Sequence, residues 1–427
     1  MRTSSSRRAL YPGVGELERQ ARTLAAFAPR VLRLREAGRS RAGRPLHLLS
    51  AGHGQRQLLT VAGAHANEPV GGASALRLAR LLAHRPELLR RLDCTWHFLL
   101  CLDPDGAHLA HGWQPEEPAP SLEDCHRHFY RPEFACQPES PPAPGTGQEP
   151  LPESAALVRL LDELRPTAQF TLHGIEIGGA FTMQTRDVPG AARAFRETAA
   201  RLRIPLDDHP CDGPDWQPDP PGVLRLPPAS GGSERDPSGF VAESTWLHPR
   251  RYGTLTALVE APAWAVPAVS DSRPEPDPRR AVGAACDLLV ARTRELGTLL
   301  EPVRSDAVPH DLLPLHTAAA ELLRVAPSLA VGWAEQEHAG SRGHFATLGV
   351  SARRIPLRVA AMARRTLART TPATADALAD LVREWCRELD KTYEPRWIPV
   401  SAQTALHTRT MLDLAARLCT QGPLSRR

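Results

Sequence analysis

Four short apolar runs punctuate the first 260 residues: 57–62 (QLLTVA), 95–102 (TWHFLLCL), 168–172 (AQFTL) and 255–259 (LTALV). Each is rich in β-branched or aromatic residues and bounded by Gly, Pro or Asp, which predicts buried strands. Between them, 70–83, 153–165, 190–203 and 280–300 repeat apolar residues at three- and four-residue intervals, with Arg, Asp and Glu in the gaps. That spacing predicts helices. Strands alternating with helices imply an α/β fold, an open, mostly parallel twisted sheet with helices on both faces. The proline-rich stretches 114–152, 205–239 and 262–279 lack periodicity and read as long surface loops, of the kind that wall a site. Beyond about residue 303 the strand signals stop, and 310–325, 355–370, 373–391 and 401–419 all carry helical periodicity. The expected organisation is an α/β domain over 1–303 and a C-terminal all-α module over 304–427, without an internal repeat.

Composition narrows the chemistry. The net charge of +4 comes from 52 basic and 48 acidic residues mixed along the chain, so neither nucleic acid nor a membrane surface is an expected partner. Tyr11, Pro12 and Gly13 interrupt the start of the chain where a secretory leader needs a continuous apolar run. Eight cysteines (94, 101, 125, 136, 211, 286, 386, 419) include no Cys-x-x-Cys pair and read as reduced thiols, which leads us to expect a cytoplasmic protein. Lys391 is the single lysine and lies in a helical pattern, which removes a phosphate-binding Gly-x-x-x-x-Gly-Lys loop and argues against a lysine Schiff base. Neither Gly-x-Ser-x-Gly nor His-Glu-x-x-His occurs.

Histidine and carboxylate positions remain. His-x-x-Glu occurs three times, at His65/Glu68, His84/Glu87 and His173/Glu176. His84 and Glu87 sit among Arg85, Pro86, Arg90 and Arg91 on a solvated surface. His65 and Glu68 instead follow the strand 57–62 directly, and Pro69 holds Glu68 extended while starting the next helix. His173 ends the strand 168–172, and Glu260 ends the strand 255–259. In a parallel sheet these ends share one edge, where open α/β folds bind ligands. Two histidines and a carboxylate are the ligand set of a catalytic zinc, which would lower the pKa of water from 15.7 towards about 7. Glu260 would then serve as general base, and one zinc ion per chain is expected at His65, Glu68 and His173.

At this point the chain resembles the zinc carboxypeptidases related to carboxypeptidase A. Gly63-Ala64-His65-Ala66-Asn67-Glu68-Pro69 is similar to that family's Gly-x-His-x-x-Glu metal motif, and His173 to its third ligand. Asp103-Pro104-Asp105-Gly106 is similar to its Asn-Pro-Asp-Gly turn, and Asp124-Cys125-His126-Arg127-His128-Phe129 to its Asp-x-Asn-Arg-Asn-Phe stretch. Thr254–Glu260 resembles the strand that ends in the catalytic glutamate. The resemblance implies hydrolysis of an amide bond in a small peptide with a free carboxylate, gripped by Arg127 with His126 standing where the family has Asn. It also implies an oxyanion-stabilising arginine, but 107–121 contains none, leaving His108, His111 or the metal. Tyr252 is the nearest candidate for the family's mobile tyrosine and reads as structural. Two alternatives stay open: removal of an acyl group from an N-acyl amino acid, as in relatives resembling aspartoacylase and succinylglutamate desuccinylase, and a non-catalytic zinc-binding relative.

Overall fold

The computed structural model describes residues 11–110, 120–140, 149–210, 217–218, 221–225, 244–303, 308–335 and 340–420. In chain order the strands are β1 Leu32–Arg39, β2 Pro45–Ala51, β3 Arg56–Ala62, β4 Cys94–Leu99, β5 Ala168–His173, β6 Ile177–Gly178, β7 Phe181–Gln184, β8 Gln217–Pro218, β9 Val223–Arg225, β10 Leu255–Glu260, β11 Trp264–Ala265 and β12 Arg396–Trp397. The main helices are α1 Val14–Phe27, α2 Val70–His84, α3 Glu87–Leu92, α4 Pro104–Leu109, α5 Leu122–Arg127, α6 Pro152–Leu164, α7 Ala191–Leu202 and α8 Pro278–Leu300. They continue with α9 Leu313–Glu335, α10 Arg342–Leu367, α11 Pro372–Tyr393 and α12 Val400–Thr420. None of the described helices is long and apolar enough to cross a membrane.

Nine strands form one sheet in the order β1-β2-β4-β3-β5-β10-β7-β9-β8. Its centre, β4-β3-β5-β10, is parallel throughout. The four runs read from the sequence are these central strands, apolar on both faces because both are covered. On β3, Leu58 and Ala62 face one core with Trp96, Phe170 and Val259, under α1, α2 and α12. Leu59 and Val61 face the opposite core with Leu157, Leu160 and Leu161 of α6. The expected fold class is therefore what the chain adopts. The flanking strands were not legible: β1 alternates Leu32 and Leu34 with Arg33 and Arg35 at an edge, and β7 and β9 are only a few residues long.

The expected boundary at residue 303 does not separate two cores. Leu406, Met411, Leu414 and Ala415 of α12 lie in the apolar cluster of the sheet itself. Leu315, Val350, Leu357 and Leu378 share another cluster with Ala66, Leu122 and Phe129. Periodicity identifies a helix but not the surface that its apolar stripe covers.

Candidate metal centre

Gly63 makes the turn out of β3 possible. Its φ is +61°, and a Cβ there would stand 2.9 Å from Cys101 Sγ, so only glycine fits without strain. The loop then presents His65 and Glu68 before α2 begins at Val70, while β5 ends at His173 beside it. The three side chains converge. Glu68 Oε1 lies 2.9 Å from His65 Nδ1, Glu68 Oε2 lies 2.9 Å from His173 Nδ1, and the two Nδ1 atoms are 3.1 Å apart. Glu68 offers a different oxygen to each histidine, and one ligand atom from each of the three residues lies within 4.8 Å of the others, a grouping whose donor set suits a zinc ion. Among the described residues it is the one such His, Cys, Asp and Glu grouping.

Outer contacts fix the cluster. His173 Nε2 lies 3.1 Å from Glu139 Oε2 and 2.9 Å from Thr171 Oγ1, and the Thr171 hydroxyl donates to the other Glu139 oxygen. This carboxylate–histidine arrangement orients the ring and makes Nδ1 a better donor. The Gly174 N–H donates to Glu68 Oε2 at 3.3 Å. Burial alone would keep Glu68 protonated, but His65 and His173 hold its carboxyl well below the usual range. Burial likewise opposes charge on His173, yet Glu139 and Glu68 raise its pKa well above that of a free histidine. Burial and then Arg131 push His65 the other way. A cation bound between these side chains would compete with protons for the two histidines.

Two of these groups carry no sequence signal. Glu139 and Arg131 lie in the proline-rich stretch 114–152, where only loop length hinted at a site wall. Arg131 Nη1 donates to Glu68 Oε1 at 3.0 Å, and Nη2 is 3.2 Å from His65 Nε2. Arg127 does not reach the cluster: half-exposed, it pairs with Asp124 at 3.2 Å on α5. Leu122, Cys125 and His126 form the buried face of that helix, and residue 127, about 100° further round, turns outward. His126 is fully buried, with Nδ1 2.8 Å from the Leu122 carbonyl, and also makes no contact with the cluster. His108 is exposed on α4, while His111 and parts of the loops 114–152 and 205–239 lie outside the described residues. Tyr252 donates to Asp162 at 2.8 Å and is structural. The seven described cysteines are free thiols; Cys211 lies outside the described residues.

Glu260 is the Cα partner of His173 across the parallel β5–β10 pair. Paired residues on adjacent strands project to the same face about 4.8 Å apart, which sets Glu260 beside the third ligand. Next to the metal loop opens a cavity of about 700 Å³ including its mouth, walled by Val14, Leu17, Leu100, Ala107 and Phe129, with His65, Glu68, Asn67 and Glu176 at its polar end.

Residues 17–188, which include all three clustered ligands, match the zinc carboxypeptidase family. No curated protein matches the chain. Among solved structures, one assigned as a metallopeptidase from Shewanella denitrificans is 16% identical, covering 58% of this chain and 81% of its own, with a TM-score of 0.40. A metallo-carboxypeptidase from Burkholderia cenocepacia is 17% identical, covering 57% and 60%, with a TM-score of 0.37. Carboxypeptidase A from Helicoverpa armigera is 15% identical, covering 59% and 65%, also at 0.37. Likeness at that level does not bear on substrate.

Proposed function

We propose that the chain, whose residues 17–188 match the zinc carboxypeptidase family, is a zinc-dependent hydrolase that releases the C-terminal residue of a short peptide, with Glu260 as general base. A zinc held by His65, Glu68 and His173 would acidify water and polarise the scissile carbonyl. Glu260 would take the proton of the attacking water and return it to the leaving amine. The observation that carries this reading is the pairing of Glu260 with His173 at adjacent strand ends.

Arg131 is the candidate for the substrate's negative charge in place of Arg127. Its guanidinium donates to His65 Nε2, an arrangement that places the ring proton on Nδ1. With His65 as a metal ligand its ring proton would lie on Nε2, and the Arg131 guanidinium would lose that acceptor. Arg131, a quarter exposed, would turn to an incoming carboxylate or developing oxyanion. A small N-acyl amino acid offers the same carboxylate, so acyl removal is the second reading, favoured by nothing beyond that shared group.

The test is a pair of substrate pools, dipeptides and N-acyl amino acids, with Glu260→Gln, Arg131→Gln and Arg127→Gln. Glu260→Gln should keep its zinc and lose about 100- to 10,000-fold in kcat. Arg131→Gln should lose far more kcat/KM than Arg127→Gln. Full turnover by Glu260→Gln would reject the base assignment, and cleavage confined to acyl amino acids would replace the peptidase reading.

A further inference from the structure

Glu176 follows the third ligand by three residues but belongs to a different set of contacts. It is 3% exposed. Its Oε1 accepts from Asn67 Nδ2 at 2.8 Å, and its Oε2 accepts from Arg358 Nη2 at 2.6 Å. Arg354 Nη1 stands 3.8 Å from the same oxygen. The two arginines are four residues apart on α10, hence on one face of that helix, and both are buried. Asn67 lies in the metal loop between the ligands His65 and Glu68. A continuous line of short polar contacts therefore runs from α10, beyond the α/β part of the chain, into the loop that carries two of the three ligands.

The energetics favour a role other than stability. A buried carboxylate and guanidinium together gain little over an apolar pair of the same volume, whereas removing either partner leaves an uncompensated charge. Such a pair holds its neighbours in one arrangement. Glu176 has one oxygen on each side of the junction, so fixing it from Arg358 fixes the Asn67 amide. The Arg358 guanidinium is itself laid over the Phe129 ring, 5.4 Å from its centroid, which restricts its rotation.

We propose that Arg358, with Arg354 beside it, positions the metal loop through Glu176 and Asn67, making α10 a working part of the metal centre. Arg358 is a positioning residue, acting through Glu176. The inference rests on the zinc reading of the centre but not on peptide hydrolysis.

The test uses the full chain and measures zinc affinity by competition with a chromophoric chelator, beside thermal melts. Arg358→Gln and Asn67→Ala should each weaken zinc binding about 10-fold, at the lower end of what outer contacts of a metal site contribute. Arg358→Lys should recover much of the loss. The double variant should bind no more weakly than the worse single variant, because both break one line of contacts. Arg292→Gln is the control: that buried arginine pairs with Glu388 between α8 and α11, so its loss should lower the melt and leave zinc affinity unchanged. The proposal is overturned if Arg358→Gln behaves like the control, or if the double variant shows the product of the two losses. Should Arg358→Gln fail to fold, the half-buried Asn67→Ala decides, and wild-type affinity in it rejects the proposal. Absence of peptidase activity with these affinity changes intact would count against the proposed hydrolysis alone.

Discussion

Replacing Glu139 with glutamine removes one negative charge from a carboxylate that is 1% exposed and 3.1 Å from His173 Nε2, while keeping its shape. The hydrogen bonds can still be satisfied: the amide oxygen accepts from His173, and the amide NH2 donates to Thr171, whose hydroxyl rotates to accept. The fold should therefore survive, and the loss should fall on the metal. Removing such an outer partner lowers metal affinity about 10- to 100-fold, equivalent to about 1.4–2.7 kcal/mol. The pH dependence separates this cause from a general loosening. Glu139 and Glu68 raise the pKa of His173 well above the usual histidine range against the opposing effect of burial. Zinc must displace that proton, so wild-type affinity should fall about 10-fold per pH unit wherever His173 is protonated. Glutamine weakens the ligand but also weakens its competing proton. The deficit of Glu139→Gln should then be larger in alkaline than in mildly acidic solution. Chelator competition across that range is the assay. Equal affinity at the alkaline end, or a deficit that does not change with pH, would refute the reasoning.

Burial raises the pKa of Asp207 from its ordinary value to about 7, so the folded chain binds a proton there that the unfolded chain has released. Stability from this group is full below about pH 4 and is lost as pH rises to about 7, by at most about 4 kcal/mol. Urea melts should show Asp207→Asn gaining on wild type between about pH 5 and about pH 8, and a constant difference would reject the assignment. Gly63→Ala should destabilise the chain by at least about 1–2 kcal/mol through its left-handed backbone, more if Cys101 cannot yield, and should weaken zinc binding. A neutral melt would show that the loop tolerates a Cβ. Truncation after residue 399 should abolish cooperative unfolding, because Leu406, Met411, Leu414 and Ala415 leave the sheet uncovered. A soluble truncated chain with a sharp melt would show that α12 is not needed to cover the sheet.

What the sequence determined by itself is local and repetitive. Four mostly apolar runs were legible as strands because the central sheet is covered on both faces, and their short length, β-branched and aromatic content and flanking Gly, Pro or Asp mark such strands. The meeting of His65, Glu68 and His173, and the pairing of Glu260 with His173, follow from places at or just beyond the ends of β3, β5 and β10, which run parallel and bring those ends to one edge. Only the tertiary structure decided the rest. Arg127 and Arg131 lie four residues apart in the same arginine-bearing stretch, and which one meets the cluster depends on the buried face of a six-residue helix. Glu139 gains its role from a loop that crosses the strand ends, and Arg358 from a helix 182 residues beyond its partner Glu176. Contacts between segments so far apart leave no period or spacing in the chain, since they depend on how finished elements pack and not on the local conformation that residue order dictates.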